Sequence, residues 1–322
     1  MRTLDLMEKK LGLATRDAYG QALVELGRRN PKVVVLDGDL ASSTRTGPFS
    51  KEFPGRFFNV GIAEANLVGL AGGLAQAGKI PFISSFACFM TCKGYDQLRM
   101  AVAVPHQNVK VVASHGGISV GEDGVSQQSI EDVALMTSLP GFVVMLPADE
   151  HATRALVKQA AEMVGPVYIR TGRPKAPLLY DATTSFTIGK GVLLRKGKDV
   201  TLVANGLLAF EALAAAEELE GSGISAAVVD MHTVKPLDEA LLVQQARETG
   251  AVVTAEEHQI WGGLGAAVAK ALAQGHPVPM EFVAIQDTYA ESGKPEELFD
   301  KYGLTARNIV EAARRVLARK GK

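Results

Sequence analysis

One acidic residue stands out in a largely apolar run. Glu64 falls in the first turn of a helical pattern over residues 62–77, which is otherwise mostly Ala, Gly, Leu, Val and Ile. An acid there suits the positive end of a helix. A partly buried carboxyl at the same place could instead share a proton with a ring nitrogen. His115 opens a second chemically rich stretch, Gly116-Gly117-Ile118-Ser119-Val120-Gly121-Glu122-Asp123-Gly124, with four glycines. Glycines permit positive φ and close backbone approach to a ligand. Glu122 and Asp123 are ill suited to cradling phosphate and better suited to hydroxyls or a partner chain. Arg16 and Arg170 could be solvated charges; if they converged, they would make a bidentate phosphate site. Phe86 and Phe89 read by default as core residues.

Other candidates are weaker. Cys88 and Cys92 are spaced unlike a redox or zinc motif and read as two small buried residues. Gly262-Gly263-Leu264-Gly265 lacks the spacing of a dinucleotide site and suggests tight packing. Glu257-His258 has no nucleophile alongside, which favours an interface or structural role. No Ser nucleophile elbow, Walker loop or His/Cys metal cluster is evident.

These residues must be carried by elements that alternate along the chain. Residues 33–36, 80–86, 109–113, 142–146 and 167–170 read as strands, and 57–60 as a shorter stretch. Residues 16–29, 62–77, 95–102, 130–137 and 150–163 carry helical periodicity between them. Continuous Val/Ile runs between helices predict parallel strands covered on both faces. Ligands of such sheets sit at the carboxyl ends of the strands. Asp37-Gly38-Asp39, the Glu64 segment, Phe86 to Phe89, the His115 loop and Arg170-Thr171-Gly172-Arg173 all follow strands. The pattern lapses over 171–190, a linker rich in breakers. A second series follows, with strands at 200–204, 225–229, 251–255 and 281–285 and helices at 209–219, 238–248, 264–273 and 306–319. The fold class is α/β, with domains at residues 1–180 and 190–322.

The chain has 322 residues, 47% of them apolar, with 34 basic and 35 acidic side chains. Such balance gives no general attraction to nucleic acid or to an anionic membrane. Apolar stretches are broken well short of the ~20 residues a span needs. Residues 1–6 have no signal-like core, so a cytoplasmic protein is expected.

Together the segments resemble a known family. Phe58-Asn59-Val60-Gly61-Ile62-Ala63-Glu64-Ala65-Asn66, then Gly72-Gly73-Leu74-Ala75-Gln76-Ala77-Gly78, is similar to the cofactor-glutamate segment of transketolases and deoxyxylulose-phosphate synthases. His115 with Val120-Gly121-Glu122-Asp123-Gly124 and Gln128, followed by Pro147-Ala148-Asp149, resembles the transketolase substrate loop and the next strand end. The resemblance runs from about Leu13 to the C-terminus.

It implies a pyrimidine-binding thiamin-diphosphate domain followed by a smaller transketolase C-terminal domain. Glu64 then matches the glutamate that hydrogen-bonds N1′ of the aminopyrimidine, and Phe89 the aromatic stacked on that ring, with Phe86 nearby. Arg16, Ser43, His115 and Arg170 match sugar-phosphate contacts. Asp39 lies where the family has an acid near the active centre, and Asp123 matches one that contacts a substrate hydroxyl. The implied reaction is transfer of a two-carbon ketol unit between sugar phosphates. The family's Gly-Asp-Gly motif with a downstream Asn, which binds Mg²⁺ or Ca²⁺, has no counterpart here; Asp37-Gly38-Asp39 is not that motif. The resemblance therefore implies an N-terminal partner subunit that carries the diphosphate and metal, and a self-dimer flanked by two such partners.

Two departures bear on the substrate. Gln127 stands where the family usually has His, and can hydrogen-bond but not shuttle protons at neutral pH. Gly116-Gly117 replaces the Asp-Ser of many transketolases. The competing expectations are the β subunit of a 2-oxoacid dehydrogenase, whose substrates need no sugar-phosphate arginines, ketol transfer with an unusual sugar phosphate, and a non-catalytic assembly paralogue.

Overall fold

The structure, a computed structural model, describes residues 10–320. The stretch read above for targeting lies outside these residues. The first unit runs β1 (Leu11–Ala14), α1 (Thr15–Arg29), β2 (Val33–Asp37), α2 (Ala41–Thr44), α3 (Gly47–Glu52), β3 (Phe57–Asn59), α4 (Glu64–Gln76) and β4 (Ile80–Ser84). It continues through α5 (Ala87–Lys93), α6 (Tyr95–Gln97), β5 (Lys110–Ala113), α7 (Asp132–Ser138), β6 (Val143–Met145), α8 (Glu150–Glu162), β7 (Val167–Arg170) and β8 (Lys175–Pro177). The second comprises β9 (Val192–Arg195), β10 (Val200–Ala204), α9 (Leu208–Gly221), β11 (Ala226–Asp230), β12 (Thr233–Lys235), α10 (Glu239–Thr249) and β13 (Val252–Gln259). It closes with α11 (Leu264–Gly275), β14 (Met280–Ile285), α12 (Pro295–Lys301) and α13 (Ala306–Arg319).

The first sheet has the order β12-β6-β7-β5-β4-β2-β3, parallel except for β12. Alternate residues of β2 face opposite ways. Val33 and Val35 join a core with Leu23 of α1 and Leu156 of α8. Val34 and Leu36 join Leu67 of α4 and Met90 of α5 on the other side. Burial on both faces explains the unbroken valine run, since each such side chain contributes about 1.5–3 kcal/mol when removed from water. The second sheet has the order β14-β13-β10-β11-β9, with β9 antiparallel at the edge.

Several features depart from the expected pattern. Helix 62–77 starts two residues late, because Gly61 takes φ +74° and the Ala63 backbone is still non-helical, so Glu64 becomes the first helical residue. The expected helix 95–102 divides into α6 and a π-helical turn, Leu98–Ala103. The linker contains β8, which pairs with β1. β13 runs on through Glu256, Glu257 and His258, three polar residues that read as the end of a strand but are buried. β12 crosses back to pair with β6. Cys88 is buried, and its thiol is pushed up to about 12 by burial, but Cys92 is exposed. The glycines after β13 do serve packing: a Cβ on Gly265 would lie 2.8 Å from the Phe282 ring, and the NH groups of Leu264 and Gly265 donate to Glu256 at 2.7 and 2.8 Å.

The two units share an interior along the linker. Tyr180 donates its hydroxyl to Asp230 Oδ2 at 2.6 Å. Burial, with the Asp149 carboxylate nearby, raises Asp230 from 3.8 to about 7. The folded chain thus holds a proton there that the unfolded chain has released, so this contribution to stability is present below the unfolded value and is lost as pH rises towards 7. The loss in unfolding free energy between pH 5 and pH 8 should therefore shrink on Asp230→Asn, by on the order of 2 kcal/mol. Urea titrations of both proteins at the two pH values check this, and parallel pH dependences would refute it.

Candidate active site

The carboxyl ends of β2, β4, β5 and β7 bring the chemically active residues to one edge of the first sheet. Glu64 begins α4 and is 2% exposed. Its Oε1 accepts the hydroxyl of Ser85, just past β4, at 2.9 Å. Gly38, just past β2, lies against this pair: a Cβ there would make ordinary contact with Ser85 Oγ at 3.4 Å and Glu64 Oε1 at 3.7 Å. Oε2 takes no hydrogen bond from the described residues and lies 4.0 Å from Lys93 Nζ.

An aromatic column stands beside this carboxylate. His115 stacks on Phe86 at 3.7 Å between centroids, and Phe86 on Phe89 at 5.5 Å. Phe86 is buried, Phe89 is half-buried, and the Lys93 ammonium sits 4.5 Å from the Phe89 centroid. The default reading of both phenylalanines as core fits Phe86 alone.

His115 is held in one tautomer. Its backbone takes φ +60°, and its ring nitrogens meet Ser114 Oγ at 2.7 Å and Arg16 Nη1 at 3.4 Å. A guanidinium can only donate, so Nε2 is the acceptor and Nδ1–H donates to Ser114. Burial, reinforced by Arg16, Arg173 and Arg45, lowers this imidazole to about 3. Arg16 also donates to the Ser43 carbonyl at 3.1 Å, and its buried Nε has no hydrogen-bond partner among the described residues. The loop carrying Asp39 and Ser43 is shaped by the buried Asp37, which accepts Leu40 N, Thr44 Oγ1 and Thr46 Oγ1 at 2.6, 2.6 and 2.8 Å. Asp39 is exposed at the rim and accepts Asn59 Nδ2 at 2.8 Å.

Arg170 does not join this cluster. It is the last residue of a strand covered on both faces, and its side chain runs inward. Its Nη2 donates to Ser129 O and Glu257 O at 2.9 and 2.8 Å, and its Nε lies 3.5 Å from Asp132 Oδ2. Those buried partners engage the guanidinium, which corrects the expectation that Arg170 faces a phosphate alongside Arg16. The arginine whose charge reaches Arg16 and His115 is instead Arg173. Seen in the sequence only as a second basic residue after β7, it lies 3.0 Å from Glu122 Oε2 and 3.9 Å from Asp123 Oδ1, with its charge felt at both Arg16 and His115. Gln127 accepts the Ser126 hydroxyl at 2.5 Å, and its backbone carbonyl lies 3.4 Å from Cys88 Sγ, so this loop rests on α5.

Glu64, Ser85, Phe86, Phe89, His115, Arg16 and Ser43 thus form one linked constellation, with Asp123 joined through Arg173. Ser85, Lys93 and Arg45 were given no part in the sequence reading, because no motif marks them, and Arg173 was read there only as one of the residues that follow a strand. Arg173 had one available clue: it is the strand-end arginine beyond the buried strand. Chemically, the site offers a buried carboxylate with one open oxygen, a phenyl face beside it and a group of arginines around a neutral imidazole. The first two fit an aminopyrimidine, which needs a hydrogen bond at one ring nitrogen and a stacking partner.

Comparison with known proteins agrees with this geometry. The family model "Transketolase, pyrimidine binding domain" matches residues 12–177, and "Transketolase, C-terminal domain" matches residues 189–309. The 6-deoxy-6-sulfo-D-fructose transketolase subunit SqwH of Clostridium sp. is 45% identical over 95% of this chain and 95% of its own length. Human transketolase is 39% identical over 99% of this chain but 52% of its own length, so the chain spans about half of that relative. A solved split gene transketolase, described as an inactive beta4 tetramer, superposes with a TM-score of 0.90 at 52% identity, covering 96% of this chain and 100% of the other. The chain therefore belongs to the transketolase family, as its pyrimidine-binding and C-terminal domains.

Proposed function

We propose that this chain is the C-terminal subunit of a two-chain transketolase that moves a two-carbon ketol unit between sugars ending in an oxyanion. The observation that carries this reading is the Glu64 carboxylate, buried and held by Ser85 at 2.9 Å, with Lys93 Nζ 4.0 Å from its Oε2 and 4.5 Å from the Phe89 ring centroid. Thiamin diphosphate, the coenzyme implied by the family, supplies the nucleophilic carbon and the electron sink for carbon–carbon cleavage. Glu64 would hold a proton at N1′ of the aminopyrimidine, with Ser85 fixing the carboxylate plane. Phe89 would fix the ring by stacking, and Phe86 supports Phe89 from behind.

The substrate end is read by charge. Arg16 and Arg173 would bind the terminal oxyanion and set the distance of the reacting carbonyl. His115 is neutral at working pH, so it contributes a hydrogen-bond acceptor at Nε2 or an apolar ring edge, not a charge. Asp123 would accept from a sugar hydroxyl. The diphosphate and a Mg²⁺ or Ca²⁺ ion would be held by the N-terminal subunit. Exposed apolar side chains support an oligomer: Ile62 just before α4, Leu70 on it, and Met100 and Val104 in the turn packed beside it.

The arginines recognise an oxyanion rather than phosphorus. The SqwH relative, named for a sulfonated fructose, makes a sulfosugar a specific second reading for the donor. Comparing fructose 6-phosphate with 6-deoxy-6-sulfofructose in the complex reconstituted with its N-terminal subunit separates the two. Absence of transfer with either would favour an assembly role instead.

Glu64→Gln should lower turnover by about 10²–10⁴, the range of general acid–base catalysis, without loss of folding. Near-wild-type turnover in that variant would remove Glu64 from its assigned role. Arg173→Ala should raise KM for a phosphorylated acceptor about tenfold or more and leave an unphosphorylated analogue little changed, whereas Arg170→Ala should chiefly destabilise the fold. Equal KM effects of Arg173→Ala on both acceptors would contradict its place at the oxyanion. In a histidine-selective NMR titration, His115 should show no protonation step between pH 5 and pH 8; a step near its ordinary 6.5 would overturn the buried, arginine-flanked setting.

A further inference from the structure

We infer that Glu257, in the second domain, is a positioning residue for the oxyanion end of the site in the first domain, acting through the loop that opens at Gly116. The inference rests on the proposed function, and deepens it by giving the second domain a part in substrate recognition.

The loop is gripped from both sides of one turn. Glu257 Oε1 accepts the Ser119 NH at 2.5 Å. One residue further on, the Val120 carbonyl accepts from Arg173 Nη1 at 2.5 Å. Glu257 therefore holds the amide of one residue while the oxyanion-side arginine holds the carbonyl of the next. A shift of Ser119 carries Val120, and with it the Arg173 guanidinium. Glu257 is itself fixed, since it is buried and electrostatically paired with Arg170, whose Nη2 donates to the Glu257 carbonyl. Asp132 lies on the other side of Arg170.

The sequence departure at Gly116-Gly117 follows from the same contact. A Cβ on Gly116 would overlap Arg170 Nε, and one on Gly117, at φ +82°, would overlap Glu257 Oε1. In this chain the Arg170 and Glu257 side chains fill the space that Asp-Ser side chains would need. Further second-domain contacts seat the rest of the loop. Gln128 Nε2 donates to the Glu291 carbonyl at 3.0 Å, Ser292 Oγ to the Glu122 carbonyl at 2.5 Å, and a Cβ on Gly121 would lie 3.2 Å from Pro295. Among the described residues, only Glu257 does so with a buried carboxylate on the turn adjoining Arg173.

The test uses the full chain. Glu257→Ala removes the acceptor for the Ser119 NH, whereas Glu257→Gln keeps it and serves as the conservative rescue, so the changes below are expected of Glu257→Ala and should be smaller in Glu257→Gln. Hydrogen exchange should quicken in peptides covering 117–128 and stay unchanged over β2 and α4. In the complex with the N-terminal subunit, KM for a phosphorylated acceptor should rise about threefold to tenfold, with kcat within twofold and an unphosphorylated acceptor unaffected. Added to Arg173→Ala, Glu257→Ala should raise KM less than twofold further, because both act on one turn. Unchanged loop exchange would overturn the grip. Fully multiplicative KM effects, or equal losses with both acceptors, would reduce Glu257 to a structural residue. If the wild-type complex transfers no ketol unit, the proposed function fails, while the exchange measurement still decides whether Glu257 holds the loop.

Discussion

A guanidinium removed from water has to be neutralised and hydrogen-bonded where it lies, because an unpaired buried charge costs several kcal/mol. Arg170 is buried at the end of β7, and its partners come from both halves of the chain: Ser129 and Asp132 from the first, Glu257 from the second. Satisfying this one cation brings β13 against the loop after β5, buries the polar end of β13, and leaves no room for side chains at Gly116 and Gly117. The relation of the two α/β units at the active edge is organised around that junction.

On the open side of the same sheet, polarity is arranged for ligands. Glu64 begins a helix whose preceding residues break regular geometry, so its carboxyl is buried at the helix start, with one oxygen that takes no hydrogen bond from the described residues. The His115–Phe86–Phe89 column separates this carboxylate from the arginines that crowd around His115. That separation suits a reaction needing a proton held at one end of the site and an anion at the other.

The second domain has its own sheet, and its buried side chains run on into the clusters of the first. β12 extends the first sheet, Tyr180 and Asp230 tie the linker inside, and the segment around Glu291 and Ser292 covers the loop. The second domain can thereby shape the loop that carries Glu122 and Asp123.

Much of this was written in local sequence. Valine runs flanked by helical periods determined a covered parallel sheet, because side-chain alternation and strand burial are local consequences of the pattern. The strand β10 and the helix α13 begin and end where that pattern places them, at Val200–Ala204 and Ala306–Arg319. Glu64, Phe89 and His115 were visible through motifs with a fixed order. The direction of each arginine was not: Arg170 and Arg173 are three residues apart, and nothing in their types says that one turns inward and the other toward His115. β12, the β1–β8 ribbon and the buried tail of β13 were equally silent, since short or polar strands are stabilised by partners distant in sequence. Tertiary structure decided these points because the energy of a charge depends on which groups surround it after folding, and those groups lie as far apart in the chain as Ser119 and Glu257.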